Sequence, residues 1–358
     1  MALKPYSEKT LRALLEAFNV PEQNYRFRPL TNGLINETFL AQGEKGNAYV
    51  LQRINTSVFP NVSGLMNNME RGLSFLKDSS YPPPLLLKTA AHKHFIFHSG
   101  LGYWRAMRYV PDSISFDTPQ KPEIAFECGK VIANFHRRLR QADPEAFTDT
   151  IPDFHRLDAR IEQFEKALGG AKTERLKNAT EAIAFAKDTA TTLIGALPKG
   201  LPDRICHNDT KLNNILFSKK TGKALCLIDL DTLMKGYFHY DFGDAVRTLA
   251  NPAPEDGQDH GNITLDLKMV AAFAKGLAHS GPFLNDNELK AASFGALLMP
   301  FLHGIRALTD YLNNDLYYKT VYKEQNLDRC RSLFNFTAKA QSHMNAMSHI
   351  VTTTLKSV

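Results

Sequence analysis

A chain of 358 residues, 43% hydrophobic and 22% charged, has the composition of a globular protein with one large or two unequal domains. Its net charge of +6 suits an anionic ligand such as a nucleotide. Its four cysteines are scattered with no CxxC, which points to a reduced, cytoplasmic protein without structural zinc.

The first stretch, MALKPYSEKTLRALLEAF, reads as an amphipathic helix with Ser7 as N-cap, not as a signal peptide. The longest apolar run, 294–302, falls far short of the roughly 18–20 residues that span a bilayer, so no membrane is expected. Tyr25–Leu30 alternates like a strand, and 38–41 and 48–54 follow as strands, with the polar turn TNGLINE between the first two. A helix is expected over 67–77. Strands at 85–87, 94–98 and 103–109 then complete an antiparallel sheet. His92, His94 and His98 read as ordinary hairpin residues. MRYVPDS breaks the sheet at Pro111 and marks a hinge. Beyond Pro119 the apolar spacing turns helical, over 123–140, 157–168, 173–197, 264–280, 286–313 and 327–350. The basic run 136–140 lies in such a helix and reads as a solvated face, and no nucleic-acid motif is present.

The stretch ICHNDTKLNNILFSKKTGKALCLIDLD interrupts the helices. Two short apolar strands, 214–217 and 224–228, flank a turn at Gly222, so a hairpin brings its two polar ends together. His207, Asp209 and Asn214 have the spacing HxDxxxxN of the kinase catalytic loop, whose Asp receives the acceptor's proton and whose Asn holds Mg²⁺. Asp229 stands at the tip of the second strand. A hard divalent ion wants oxygen ligands, and Asn214 with Asp229 is such a pair. Lys211 sits where it can neutralise a phosphoryl group in flight, and Asp231 is a further candidate beside the metal. Asp241-Phe242-Gly243 is rejected as the metal motif. No apolar strand precedes it, so Asp241 and Asp244 are expected to start and brace a helix. Asp244 or Arg247 is placed to reach the acceptor.

With that hairpin, the N-terminal turn reads as a loop covering phosphates. Gly33 lets the backbone approach without a Cβ, and Asn32, Asn36 and Thr38 add donors. Where a kinase presents a lysine, this chain has Gln52 followed by Arg53. Alternation admits only one of them to the cleft, and the sequence leaves the choice open. Glu70 is a candidate partner for a cleft cation, or else a solvated helix residue. Backbone groups of Arg108, Tyr109 and Val110, at the hinge, are expected to pair with an adenine edge. The segment from Gly304 to Leu333 is rich in Arg, Asp, Asn and Tyr. Arg306, Asp310 and Tyr317 are its candidate contacts to a polyhydroxylated acceptor.

HNDTKLNNILF, LIDLDT and YDFGDAVR resemble the aminoglycoside phosphotransferase/choline kinase superfamily. TNGLINETF, YVLQRINTSVFPNV, WRAMRYVPDS, RALTDYLNNDLYYK and NLDRCR are similar to its N-acetylhexosamine 1-kinase branch. The resemblance covers roughly residues 25–335. It implies an α+β, two-lobed, protein-kinase-like fold, with an N-lobe sheet over 1–110 and a mostly helical C-lobe over 111–358. It also implies ATP- and Mg²⁺-dependent phosphorylation of the anomeric hydroxyl of N-acetylglucosamine or N-acetylgalactosamine, in a sugar-salvage route. Two rivals stand beside it: a kinase of amino alcohols or aminoglycosides, which would want an acidic pocket, and a nucleotide-binding regulator without turnover. The oligomeric state is not legible.

Overall fold

The computed structural model describes residues 6–31, 33, 35–77, 83–119 and 121–356. Helix α1 (Glu8–Glu16) is capped by Ser7, whose side chain accepts from Thr10 N–H. It lays Leu11, Leu14 and Leu15 on one face of an antiparallel sheet. The sheet strands are β1 (Tyr25–Leu30), β2 (Glu37–Gly43), β3 (Ala48–Arg53), β4 (Ile96–His98) and β5 (Gly102–Arg108), in the order β1-β2-β3-β5-β4. Leu51, Trp104 and Ala106 share the face under α1. Strand alternation sends Gln52 and its register partner Arg105 to the opposite face, towards α2 (Val62–Leu76).

Helix α2 starts five residues before the expected position, at Val62. Asn61 caps it by accepting from Gly64 N–H, and burial of Val62, Leu65 and Met66 overrides the weak propensity of Ser63 and Gly64. Its apolar face joins a core shared with α3 (Pro122–Arg138) and with later helices. The expected strand at 85–87 is reduced to a single bridge between Leu86 and Met107.

Short strands β6 (Ser113–Ile114), β7 (Arg204–Cys206), β8 (Ile215–Ser218), β9 (Ala224–Leu227) and β10 (Met234–Gly236) build the centre of the molecule. β8 and β9 form the expected hairpin, with Gly222 at φ 68° in its turn. Around them lie α4 (Leu157–Gly170), α5 (Thr173–Asn178), α6 (Thr180–Gly195), α7 (Phe238–Leu249), α8 (Leu267–Ala278), α9 (Asp286–Leu312), α10 (Gln325–Ser342) and α11 (Met344–Lys356). The single helices expected over 173–197 and 327–350 are each two, broken at Ala179 and His343.

Helices α7 and α9 cross in backbone contact. A Cβ on Gly243 would overlap the Gly295 carbonyl, and one on Gly295 would overlap that of His239. Only glycine permits this approach, and it sets Asp244 on α7 against His303 on α9. α9 is long and apolar enough, at a mean hydropathy of 1.3, to cross a membrane, but 83% of that window is buried within the protein. It is read as a core helix.

Candidate active site

The catalytic-loop segment hangs from one buried carboxylate. Asp241, 0% exposed, accepts from the backbone N–H of His207 at 2.9 Å and of Asn208 at 2.7 Å. His136 Nε2 donates to it at 2.9 Å, and its backbone carbonyl accepts from Thr210 Oγ1. Asp241 thus braces the loop as well as the first turn of α7. The imidazole of His207 is fully buried and ties the loop to the hairpin: Nε2 lies 2.8 Å from the Ile228 carbonyl, and Nδ1 accepts from Asp209 N–H. From the other side His155 Nε2 meets the Asn208 carbonyl at 2.9 Å. Burial drives its pKa down to about 3, so it is neutral.

The hairpin closes where the sequence placed the chemistry. Ile228 N–H donates to the Asn214 carbonyl at 2.8 Å, so Asn214 and Asp229 stand side by side. Asn214 Nδ2 donates to Asp209 Oδ2 at 2.8 Å, and Lys211 Nζ lies 2.9 Å from the same oxygen. Oδ1 of Asp209 has no donor among the described residues. Burial alone would raise the Asp209 pKa, but the adjacent Lys211 more than offsets it and holds the group below the usual range. Lys211 is raised in turn, because Asp209 and then Asp229 outweigh its own desolvation.

Asp229 has φ 62° and, among the described residues, no hydrogen bond or ion pair to its carboxylate. Desolvation within the cleft, and next the Asp231 carboxylate, push its pKa up to about 6. With the Asn214 amide nitrogen committed to Asp209, the Asn214 amide oxygen and the Asp229 carboxylate are uncommitted oxygens. That donor set fits a hard divalent cation such as Mg²⁺.

Asp231 turns the other way. It is 2% exposed, lies 2.5 Å from Arg105 Nη2, and accepts from Asn36 Nδ2 at 2.7 Å. Arg105 also donates to Gln52 Oε1, from Nη2 at 2.5 Å and from Nε at 2.9 Å. The buried cation beside Gln52 therefore stands on β5, paired with Asp231. The lack of a lysine at Gln52 was the signal, with Arg105 directly across the ladder.

Several expectations for the nucleotide side change accordingly. Gln52 is engaged at both ends, since its Oε1 accepts from Arg105 and its Nε2 donates to Thr38 Oγ1, whereas the Thr38 hydroxyl only accepts there and keeps its own O–H to donate. Arg53 points to the α1 face, bound to Glu37 and the Leu101 carbonyl. Asn36 is committed to Asp231 and to Asn55 N–H. Glu70 is a half-exposed partner of Lys88 and His94. A Cβ built on Gly33 would meet no atom within 4 Å among the described residues. Asn32 lies outside the described residues. At the hinge, Arg108 N–H bonds the Leu85 carbonyl and Tyr109 N–H the Ala48 carbonyl. Val110 O accepts from Ser113 Oγ, which leaves the Val110 N–H without a protein acceptor among the described residues.

The acceptor side is built from α7, α9 and the loops beside them. Asp244, fully buried, lies 2.7 Å from Arg247 Nε and 3.2 Å from His303 Nε2. Burial opposes its charge, but Arg247 and His303 hold its pKa far below the usual range. Its Oδ2 is buried with no partner among the described residues. Glu255 pairs with Arg247 and Arg329; these cations, with His303, outweigh burial and bring its pKa down to about 2. Arg306 sits 4.8 Å over the Phe154 ring and 5.8 Å from that of Tyr317, and makes no ion pair within 4.0 Å among the described residues. Asp310 is not a free ligand. Its two oxygens accept from Tyr317 N–H, Tyr318 N–H and Asn326 Nδ2, so it shapes the loop that carries Tyr317.

The fold that carries this site is shared with known proteins. The phosphotransferase enzyme family (APH) matches residues 26–267. An amicoumacin kinase in complex with AMP-PNP, Ca²⁺ and Ami superposes with a TM-score of 0.58 at 15% identity, over 93% of this chain and 94% of that one. Spectinomycin phosphotransferase in complex with ADP and spectinomycin gives 0.60 at 13%, over 95% and 99%. Choline kinase from Cryptosporidium parvum gives 0.58 at 12%, over 98% and 99%. At these identities the likeness is one of fold. With more than half of its length matched by the family, the chain belongs to the phosphotransferase enzyme family and has its protein-kinase-like α+β fold.

Proposed function

We propose that the protein transfers the γ-phosphoryl group of ATP, with Mg²⁺, to the anomeric hydroxyl of N-acetylhexosamines such as N-acetylglucosamine or N-acetylgalactosamine. Asp209 orients the acceptor hydroxyl with Oδ1 and takes its proton as the O–P bond forms and the bond to ADP breaks. A loose transition state asks for placement more than for basicity, which suits a carboxylate held below its usual pKa. Lys211 carries positive charge beside Asp209, towards the phosphoryl in transit. Asn214 and Asp229 hold the metal, which when bound neutralises charge on the β- and γ-phosphates. The Val110 N–H is the remaining hinge donor for a nucleobase.

The acceptor class rests on one observation: Arg306 lies against the Phe154 and Tyr317 rings with no carboxylate partner among the described residues. An uncompensated guanidinium repels cationic amino alcohols and aminoglycosides. It donates to neutral oxygens such as an acetamido carbonyl, while the Phe154 and Tyr317 rings offer apolar faces to a sugar. The free Oδ2 of Asp244 accepts from a ring hydroxyl. The anomeric position is supported by the resemblance of HNDTKLNNILF, WRAMRYVPDS and RALTDYLNNDLYYK.

One panel tests this: ATP consumption with N-acetylhexosamines, plain hexoses, choline and an aminoglycoside, and acid treatment of the product. The expected result is turnover on N-acetylhexosamines and an acid-labile phosphate, because anomeric phosphates hydrolyse readily. Turnover confined to choline or the aminoglycoside, or an acid-stable product, would contradict it.

A further inference from the structure

We propose that Arg105 is a positioning residue for the metal-holding carboxylate: acting through Asp231, it clamps the segment that carries Asp229 to the N-terminal sheet. The proposal rests on the phosphotransferase reading above.

Asp229 has no side-chain partner among the described residues, and its backbone is in the left-handed region. Its place is therefore set by what anchors its neighbours. The turn that follows it, Leu230–Thr232, is held from two sides. On one side Thr232 Oγ1 donates to the His207 carbonyl at 2.7 Å, and Asn208 Nδ2 donates to the Thr232 carbonyl at 3.0 Å. Those bonds tie the turn to the catalytic loop. On the other side Asp231 meets Arg105 from β5 and Asn36 from the turn before β2. Those contacts tie it to the sheet.

Arg105 and Asp231 are 1% and 2% exposed, so neither charge has water to fall back on. A buried ion that loses its partner is strongly unfavourable, which makes the clamp all-or-none rather than graded. The planar guanidinium spans Gln52 and Asp231 at once, and the Met66 and Met69 sulfurs line its other edge. A lysine keeps the charge but lacks the rigid fork that serves two acceptors. Through this clamp, a displacement of the sheet relative to the hairpin is passed to Asp229. The metal site is thus coupled to β5 of the N-terminal sheet.

The test is calorimetric titration of the full chain with Mn²⁺·ADP, for wild type, Arg105→Met and Arg105→Lys, with thermal melts to fix the folded fraction. Arg105→Met is expected to weaken Mn²⁺·ADP on the order of 10- to 100-fold, as outer-shell partners of metal ligands do. Arg105→Lys should recover part of that loss, and the KM for the acceptor should stay unchanged in both. If Arg105→Met does not fold, Arg105→Lys carries the test, with several-fold weakening expected. Folded variants that bind Mn²⁺·ADP as tightly as wild type would overturn the clamp. Wild-type protein that binds no Mn²⁺·ADP would instead overturn the reading beneath it, and the clamp with it.

Discussion

The two walls of the cleft follow opposite electrostatic plans. On the hairpin wall charges are matched: Lys211 lies against Asp209 and Arg105 against Asp231, which leaves the carboxylate of Asp229 over. On the acceptor wall Arg247 and Arg329 lie against Asp244 and Glu255, and Arg306 makes no ion pair among the described residues. On the proposed reading, the uncommitted group on each wall selects the ligand: Asp229 a divalent cation, and Arg306 a neutral rather than a cationic acceptor. Matched pairs fix the geometry, and the unmatched group reads the ligand.

The comparison breaks most sharply at the brace beneath both walls. Asp241→Ala leaves two buried backbone N–H groups and His136 without their acceptor. It should cost about 3–5 kcal/mol of stability, read as a lowered denaturation midpoint with an unchanged m-value. A loss below about 1 kcal/mol would mean that water serves those donors equally well.

Next is Arg306. Arg306→Met should raise the KM for an N-acetylhexosamine by roughly 10- to 100-fold, the worth of a hydrogen bond from a charged group. Binding of Mg²⁺·ATP should not change. Arg306→Glu should let cationic amino alcohols bind that the wild type refuses. Equal acceptor kinetics for wild type and Arg306→Met would show that the acceptor wall is read incorrectly.

Two pH effects have opposite origins. Glu255 has a folded pKa of about 2, below its unfolded value, so its stabilisation is full above about pH 4.3 and is lost as pH falls towards 2. Asp244 is depressed further, so the same loss continues below that. Acid titration of the apo protein should therefore show unfolding in that window, weakened in Glu255→Gln. Asp229, raised to about 6, must lose its proton to take a metal. Divalent-ion affinity should thus be roughly halved at pH 6 relative to pH 8 and fall further in acid, whereas a flat profile would place the metal elsewhere.

The hairpin wall was legible because its residues fall between positions 207 and 231, and a hairpin has only one way to bring its ends together. Arg105 was hidden because it belongs to a different strand, and only cross-strand register sets it opposite Gln52. The acceptor wall was harder still. Asp244, Arg306 and Tyr317 were candidates from the sequence, but His303 meets Asp244 only because α7 and α9 cross at glycines, and Phe154 joins Arg306 from a distant loop, neither of which a local pattern announces. Asp310 misled for a related reason: an Asp in a polar segment looks like a ligand until the backbone N–H groups it caps are known. The helix breaks at Ala179 and His343 carry no Gly or Pro, so periodicity ran through them.

The central claim is that Asp209 serves the acceptor while Asn214 and Asp229 serve the metal-nucleotide. It is tested most directly by measuring turnover and Mg²⁺·ATP binding side by side for Asp209→Asn. The account predicts a fall in kcat of about 10²- to 10⁴-fold with nucleotide affinity close to wild type. Near-normal turnover, or nucleotide binding lost together with turnover, would contradict it.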